Sequence, residues 1–102
     1  MYYDKLVRDN IPAIIESKWE QAITHIADDQ EYRKKLEEKL HEEADELFSW
    51  TNIAEELADV QEVIYAIAEY KWITKEEIEK IRLEKFEKRW GFTERIILEE
   101  TK

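Results

Sequence analysis

A chain of 102 residues with one Gly, one Pro and abundant Glu, Lys, Leu, Ile and Ala excludes a loop-rich or all-β fold and predicts a single helical domain over 1–102. A hydrophobic content of 43%, with four Trp, excludes a disordered chain despite 41% charged residues. The net charge of −10 excludes passive wrapping of nucleic acid, and the absence of Cys excludes a disulfide framework and a thiolate metal site.

The opening MYYDKLVRDN is charged from its fourth residue, so it does not read as a signal peptide. No apolar run approaches membrane-spanning length, and the expected location is the cytoplasm with no membrane partner. Asn10 followed by IPAIIESK predicts a short helix with an N-cap and a Pro in its first turn. QAITHIA carries β-branched residues without a helical period, which predicts an extended stretch near 22–27. Asp28 or Asp29 then caps a longer helix through EYRKKLEEKLHEEADELFSW, striped by Leu36, Leu40, Ala44 and Leu47. Asn52 with Glu55 reads as a capping box opening a helix from Ile53 to about Lys71, with the stripe Ile53, Leu57, Val60, Ile64 and Ile67. Thr74 with Glu77 repeats the signature and starts KEEIEKIRLEKFEKRW, which Gly91 ends at its C′ position. FTERIILEE has mixed strand and helix character, leaving a second extended segment near 92–98 open. Four helices with short connections predict an all-α, antiparallel four-helix bundle.

Within it, HEEADELFSWTNIAEELADV, residues 41–60, holds seven carboxylates and no Lys or Arg. On a helical wheel Glu43 falls about 60° from Leu40, on the side of Leu36 and Leu47, inside the arc that should face the core. Glu46 sits at the stripe's edge and Glu42 further round. On the next helix Glu56 and Asp59 flank the stripe beside Val63 and Ile67. Glu43/Glu46 and Glu56/Asp59 each have i,i+3 spacing, and antiparallel helices bring the two pairs into one cleft. Acidic runs are commonly solvated faces. Carboxylates in a half-buried cleft instead need neutralising, and a hard divalent cation with oxygen ligands, Mg²⁺ or Mn²⁺, is the simplest neutraliser. His25 and His41 read as surface residues. Trp50, Trp72, Tyr65 and Tyr70 have the spacing of core or subunit packing, and one of them could stack on a base.

HEEADEL followed by EELADV resembles the EExxE…ExxD signature of MazG-like all-α nucleoside triphosphate pyrophosphohydrolases, relatives of phosphoribosyl-ATP pyrophosphohydrolase and dimeric dUTPases. The opening YDKLVRDNIP and closing EKRWGFTERIILEE resemble the ends of a small single-domain branch of that superfamily. The chain departs from it at Trp90-Gly91-Phe92, where relatives often carry two Gly, and at Lys18-Trp19, where a Gly is common. The resemblance implies Glu43, Glu46, Glu56 and Asp59 as metal ligands, with Glu42 an additional acidic neighbour. It implies Mg²⁺-dependent cleavage between the α and β phosphates of a nucleotide, with Glu42 or Glu46 accepting a proton from water. Phosphate contacts are expected from Lys5 and Arg8, with Asn10 either orienting them or capping the first helix. Lys85, Lys88 and Arg89 form a second basic patch, in reach of phosphates from the same or a neighbouring subunit. A homodimer or dimer of dimers is expected, because a small bundle covers such amphipathic helices poorly. The competing expectation is a non-catalytic acidic helical module that binds a basic protein partner.

Overall fold

The computed structural model describes residues 2–102, and among them it is all-α, as expected: α1 (Ile11–Ser17), α2 (Asp29–Leu47), α3 (Ile53–Tyr70) and α4 (Lys75–Arg89). No described residue lies in a strand, and the segments 22–27 and 92–98 are neither helix nor strand. The chain divides into two compact units, Met1–Ile67 and Ala68–Lys102. Charge divides with it. The first unit holds seventeen acidic and seven basic residues and so carries the whole net charge of −10; the second holds nine of each and is neutral.

In the first unit, α2 begins as expected: Asp28 is extended and accepts from Glu31 N at 2.8 Å, satisfying a first-turn donor. α1 has Pro in its first turn and Asn10 at its N-cap position, as expected, but the side-chain cap which that position implies is corrected. Asn10 is in the right-handed helical region, its side chain makes no cap bond, and its carbonyl accepts from Ile14 N. The capping box expected at Asn52 is corrected too. Asn52 has a left-handed φ of 50°, not the extended backbone that turns an N-cap side chain over the first turn, and its carbonyl accepts from Glu56 N.

The core of this unit is small. Leu36 is 2% exposed and Val63 is buried, with Leu40, Ala44, Leu47, Val60 and Ile67 half-buried around them. The α2 stripe is as expected. The α3 stripe is rotated: Glu56, Asp59, Val60, Val63 and Ile67 line the less exposed face, while Ile53, Leu57 (52% exposed) and Ile64 face out. The period is helical in both registers, but the register adopted turns two carboxylates inward in place of Leu57 and Ile64.

In the second unit, α4 opens on a complete capping box. Thr74 Oγ1 accepts from Glu77 N at 3.1 Å, and Thr74 N donates to the Glu77 carboxylate at 3.3 Å. Charge on α4 is managed locally, with Arg82 paired to Glu79 and Lys88 and Arg89 in the last turn facing the negative helix end. No residue of α4 is buried.

Every one of the four Trp follows a helix C-terminus and has positive φ: Trp19 (66°), Trp50 (59°), Trp72 (61°) and Trp90 (65°). After α3, Trp72 N donates to Glu69 O and Ile73 N to Ala68 O, a Schellman closure with Trp where Gly is usual. Trp19 closes α1 the same way, with Trp19 N donating to Glu16 O and Glu20 N to Ile15 O. At Trp90, φ 65° with ψ −162° is a region only Gly occupies freely, at a cost of about 1–3 kcal/mol for any other residue. The left-handed role expected of Gly91 is therefore taken by Trp90, and Gly91 itself has no positive φ. Of the core or subunit packing expected of Trp50 and Trp72, core packing is corrected, since both are exposed; Tyr65 and Tyr70 are half-buried.

Candidate metal centre

The site lies in the first unit, where the end of α2 meets the start of α3 across the connection 48–52. Glu43, Glu46, Glu56 and Asp59 each place one carboxylate oxygen so that all four lie within 4.8 Å of one another. Both i,i+3 pairs thus converge, as their spacing predicts. Glu43 is 8% exposed, Glu56 and Asp59 are half-buried, and Glu46 reaches solvent.

Such a set is costly unfilled. At an effective dielectric constant of about 20, two full charges 4.8 Å apart repel by about 3.5 kcal/mol. Burial of Glu43, the nearby charges of Glu46, Asp59 and Glu42 adding to it, pushes its carboxyl above the ordinary range against the pull of Lys39. Two buried oxygens, Glu43 Oε2 and Glu56 Oε2, have no hydrogen-bond partner among the described residues. A buried carboxylate oxygen without donor or cation is among the most expensive groups a protein can carry.

Three cations offset part of this. Arg8 Nη2 donates to Asp59 Oδ1 at 2.9 Å, Lys5 Nζ to Glu42 at 3.2 Å, and Lys39 Nζ lies 3.3 Å from Glu42 and 3.5 Å from Glu43. Burial alone would raise Glu42, but the Lys5 and Lys39 ammonium groups outweigh it and hold its carboxyl below the ordinary range. Lys35 anchors the N-terminal segment that carries Lys5 and Arg8, donating to the Asp4 carbonyl at 2.7 Å. Five carboxylates against three cations leave a deficit of two charges, the charge of one divalent ion, and among the described residues Glu46 and Glu56 have no ion-pair partner.

The donor set fits a hard divalent ion. It is all oxygen and anionic, and it has unfilled acceptors pointing into it. Oxygens of one octahedral Mg²⁺ shell lie about 3.0–4.2 Å apart for bonds of about 2.1 Å. A set spanning 4.8 Å is within several tenths of an ångström of closing on such an ion. A slightly larger ion, or a pair of ions, closes with less movement.

Of the residues singled out in the sequence, the structure brings Glu42, Glu43, Glu46, Glu56, Asp59, Lys5 and Arg8 together. Lys5 and Arg8 sit on carboxylates here. Asn10 stands two residues beyond Arg8 and is exposed. Lys85, Lys88 and Arg89 are exposed on the last turns of α4, in the second unit. His25 is exposed and bonded to Glu31 at 2.9 Å, and His41 is exposed. Lys39 is the site residue that sequence reasoning missed. Its signal was present: it stands three and four residues before Glu42 and Glu43, one turn upstream of a segment that contains no cation of its own.

In comparisons with known protein families, curated proteins and solved structures, nothing matches this chain. No helix among the described residues is long and apolar enough to cross a membrane.

Proposed function

We propose that this chain is a Mg²⁺-dependent nucleotide pyrophosphohydrolase of the MazG-like kind, cleaving between the α and β phosphates to give a monophosphate and pyrophosphate. Removal of non-standard nucleotides in the cytoplasm is the role such an enzyme would serve. One observation carries the reading: four carboxylates converge within 4.8 Å, and two of their buried oxygens, on Glu43 and Glu56, lack any partner. A surface evolved only to be acidic has no use for such oxygens.

Glu43 and Glu56 would hold the ion from the buried side, with Asp59 and Glu46 completing the set. A bound Mg²⁺ (or Mn²⁺ in its place) would lower the pKa of a water and neutralise charge on phosphate oxygens. Glu46 is the better proton acceptor: it reaches solvent and carries no cation, whereas Lys5 and Lys39 make Glu42 a weak base. Arg8 would exchange Asp59 for phosphate, its fork suiting two oxygens at once, and Lys5 would act as a point charge beside it. Asn10, and Lys85, Lys88 and Arg89 from the same or a second chain, are the further phosphate contacts of this reading. A homodimer or dimer of dimers would cover the apolar surface one copy leaves open.

The acidic-module reading is favoured by a first unit that carries the whole net charge of −10. A basic protein partner reads exposed charge, however, and it gains nothing from a Glu43 that is buried.

The test is pyrophosphate release from a panel of nucleotides with Mg²⁺, alongside the metal-induced shift in Tm. Release by the wild type, lost in Glu43→Ala, is the expected result, with Mg²⁺ at a hundred times its Kd stabilising by about 2.7 kcal/mol. No release from any nucleotide, together with no shift in Mg²⁺ or Mn²⁺, ends the reading.

A further inference from the structure

The segment before α1 reaches both helices of the acidic cluster. Lys5 Nζ lies 3.2 Å from Glu42 on α2, and Arg8 Nη2 lies 2.9 Å from Asp59 on α3. Between the two cations Leu6 and Val7 are half-buried, so the stretch is packed down and does not trail in solvent. Both of its ends are tied. The Arg8 carbonyl accepts from Ile11 N at 3.0 Å, at the start of α1. At the other end Lys35 of α2 donates to the Asp4 carbonyl at 2.7 Å and lies 3.6 Å from the Asp4 carboxylate. Lys35 itself pairs outside the cluster, with Glu38 at 3.1 Å. Glu42 stands two turns further along the same face of α2, about 10 Å on, so a chain held at Lys35 is led along α2 to the cluster.

We infer that residues 4–8 form a cationic strap whose Arg8 stands in for a divalent ion at the metal-free site and is expelled when that ion binds, Lys35 being the positioning residue that holds the strap in place. The inference rests on the metal centre of the proposed reading and not on the reaction assigned to it. Magnitudes favour the exchange. The side chains of Arg8 and Asp59 are 60% and 39% exposed, and a pair so exposed shifts an equilibrium by no more than about fivefold. The strap also stops at the rim. It reaches Asp59 and Glu42, whereas Glu43 Oε2 and Glu56 Oε2 have no hydrogen-bond partner among the described residues. An ion that satisfies those two oxygens gains what Arg8 cannot, and it takes Asp59 from Arg8 in doing so. Arg8 is then free to meet an anion at a loaded site and is occupied at an empty one. The coupling is reciprocal, so an anion that holds Arg8 favours the ion.

NMR of the Arg8 guanidinium, beside titration calorimetry with Mg²⁺ alone, tests this in the full chain. In the metal-free protein the Arg8 Nη signals should be resolved by slow rotation on Asp59, and saturating Mg²⁺ should merge them into the signal of a free arginine. Lys35→Met loosens the strap while keeping an unbranched side chain, and it should lower the Kd for Mg²⁺ by about two- to fivefold. Lys34→Met removes the same charge from the exposed neighbouring position and should change the Kd less. A Lys35 that only supported the fold would raise the Kd on removal. Arg8 signals that stay resolved in saturating Mg²⁺, or a Kd for Lys35→Met no lower than for Lys34→Met, overturn the inference and leave the metal centre standing. No heat of Mg²⁺ binding in any variant removes both. Release of Arg8 by Mg²⁺, with no pyrophosphate from any nucleotide, upholds the strap and ends only the assigned reaction.

Discussion

Residues 1–67 and 68–102 draw on the same few residue types and treat them in opposite ways. In the first, α2 and α3 turn Glu43, Glu56 and Asp59 toward one another and leave Leu57 and Ile64 outside. In the second, acids and bases balance and α4 carries an ordinary local ion pair, Glu79 with Arg82. The second unit shows what a solvated charged helix of this protein looks like. Measured against it, the first unit accepts repulsion and desolvation that its three cations do not fully offset. Charge is placed at a loss in the first unit and at no loss in the second.

The largest expected effect breaks that contrast at its centre. Glu43→Gln or Glu56→Gln should lower turnover by more than about a hundredfold, since even partners behind a metal ligand are worth ten- to a hundredfold. Each should also raise the Tm of the metal-free chain, because repulsion between half-buried charges is relieved. The matched change in the other unit, Glu84→Gln, should move stability by no more than about 0.5 kcal/mol and turnover not at all. Calorimetry with and without Mg²⁺, beside a pyrophosphate assay, checks all three. Equal effects in both units would make the cluster an ordinary surface.

Next in size is Arg8→Gln, for which the site predicts changes of opposite sign. Losing a charge-assisted bond to phosphate should weaken nucleotide binding by about 1.5–3 kcal/mol, roughly ten- to a hundredfold. Freeing Asp59 from a half-exposed pair should tighten Mg²⁺ by only about 0.2–1 kcal/mol. Titration calorimetry with each ligand separates the two. A purely structural Arg8 would weaken both.

Part of this was legible without coordinates. Glu43 could be placed inward because Leu36, Leu40 and Leu47 fix the α2 register. Thr74 and Glu77 announced α4 because a capping box is a local signal three residues long. The α3 register was misjudged, since the apolar rule assigns Leu57 to the core and has no term for a carboxylate that a ligand could repay. Arg8 meets Asp59 across 51 residues and Lys5 meets Glu42 across 37, distances at which spacing carries no information. The left-handed Trp residues were hidden by the preference for Gly at helix ends, although a Trp within three residues of every helix end was there to be noticed.

Helix caps sharpen the comparison at a smaller scale. Asp28 caps α2 in the first unit and Thr74 caps α4 in the second, by the same kind of bond. Either residue changed to Ala should cost about 1 kcal/mol of local helix stability. In Asp28→Ala that cost should appear in cooperative unfolding, because α2 carries the buried Leu36. In Thr74→Ala it should appear as faster hydrogen exchange along α4, which buries nothing of its own. Identical exchange behaviour in the two variants would mean the units open together.

The smallest effect is set by two neighbours that oppose each other. Folding raises the Glu43 carboxyl through burial and lowers that of Glu42 through Lys5 and Lys39. Between the ordinary carboxylate range and the raised Glu43 value, the metal-free folded chain holds a proton that the unfolded chain has released, so stability there rises as pH falls. Stability from Glu42 runs the other way: it is in place above the ordinary range and is lost as pH falls through the lowered folded value. Tm followed from about pH 7 down to about pH 4 should therefore pass through a shallow maximum. Glu43→Gln should remove the rise and keep the fall. In Mg²⁺ the proton competes with the ion for Glu43, so the metal-induced increment in Tm should shrink over the window in which the metal-free chain gains. An increment that stays constant across that window would mean that Glu43 holds no ion.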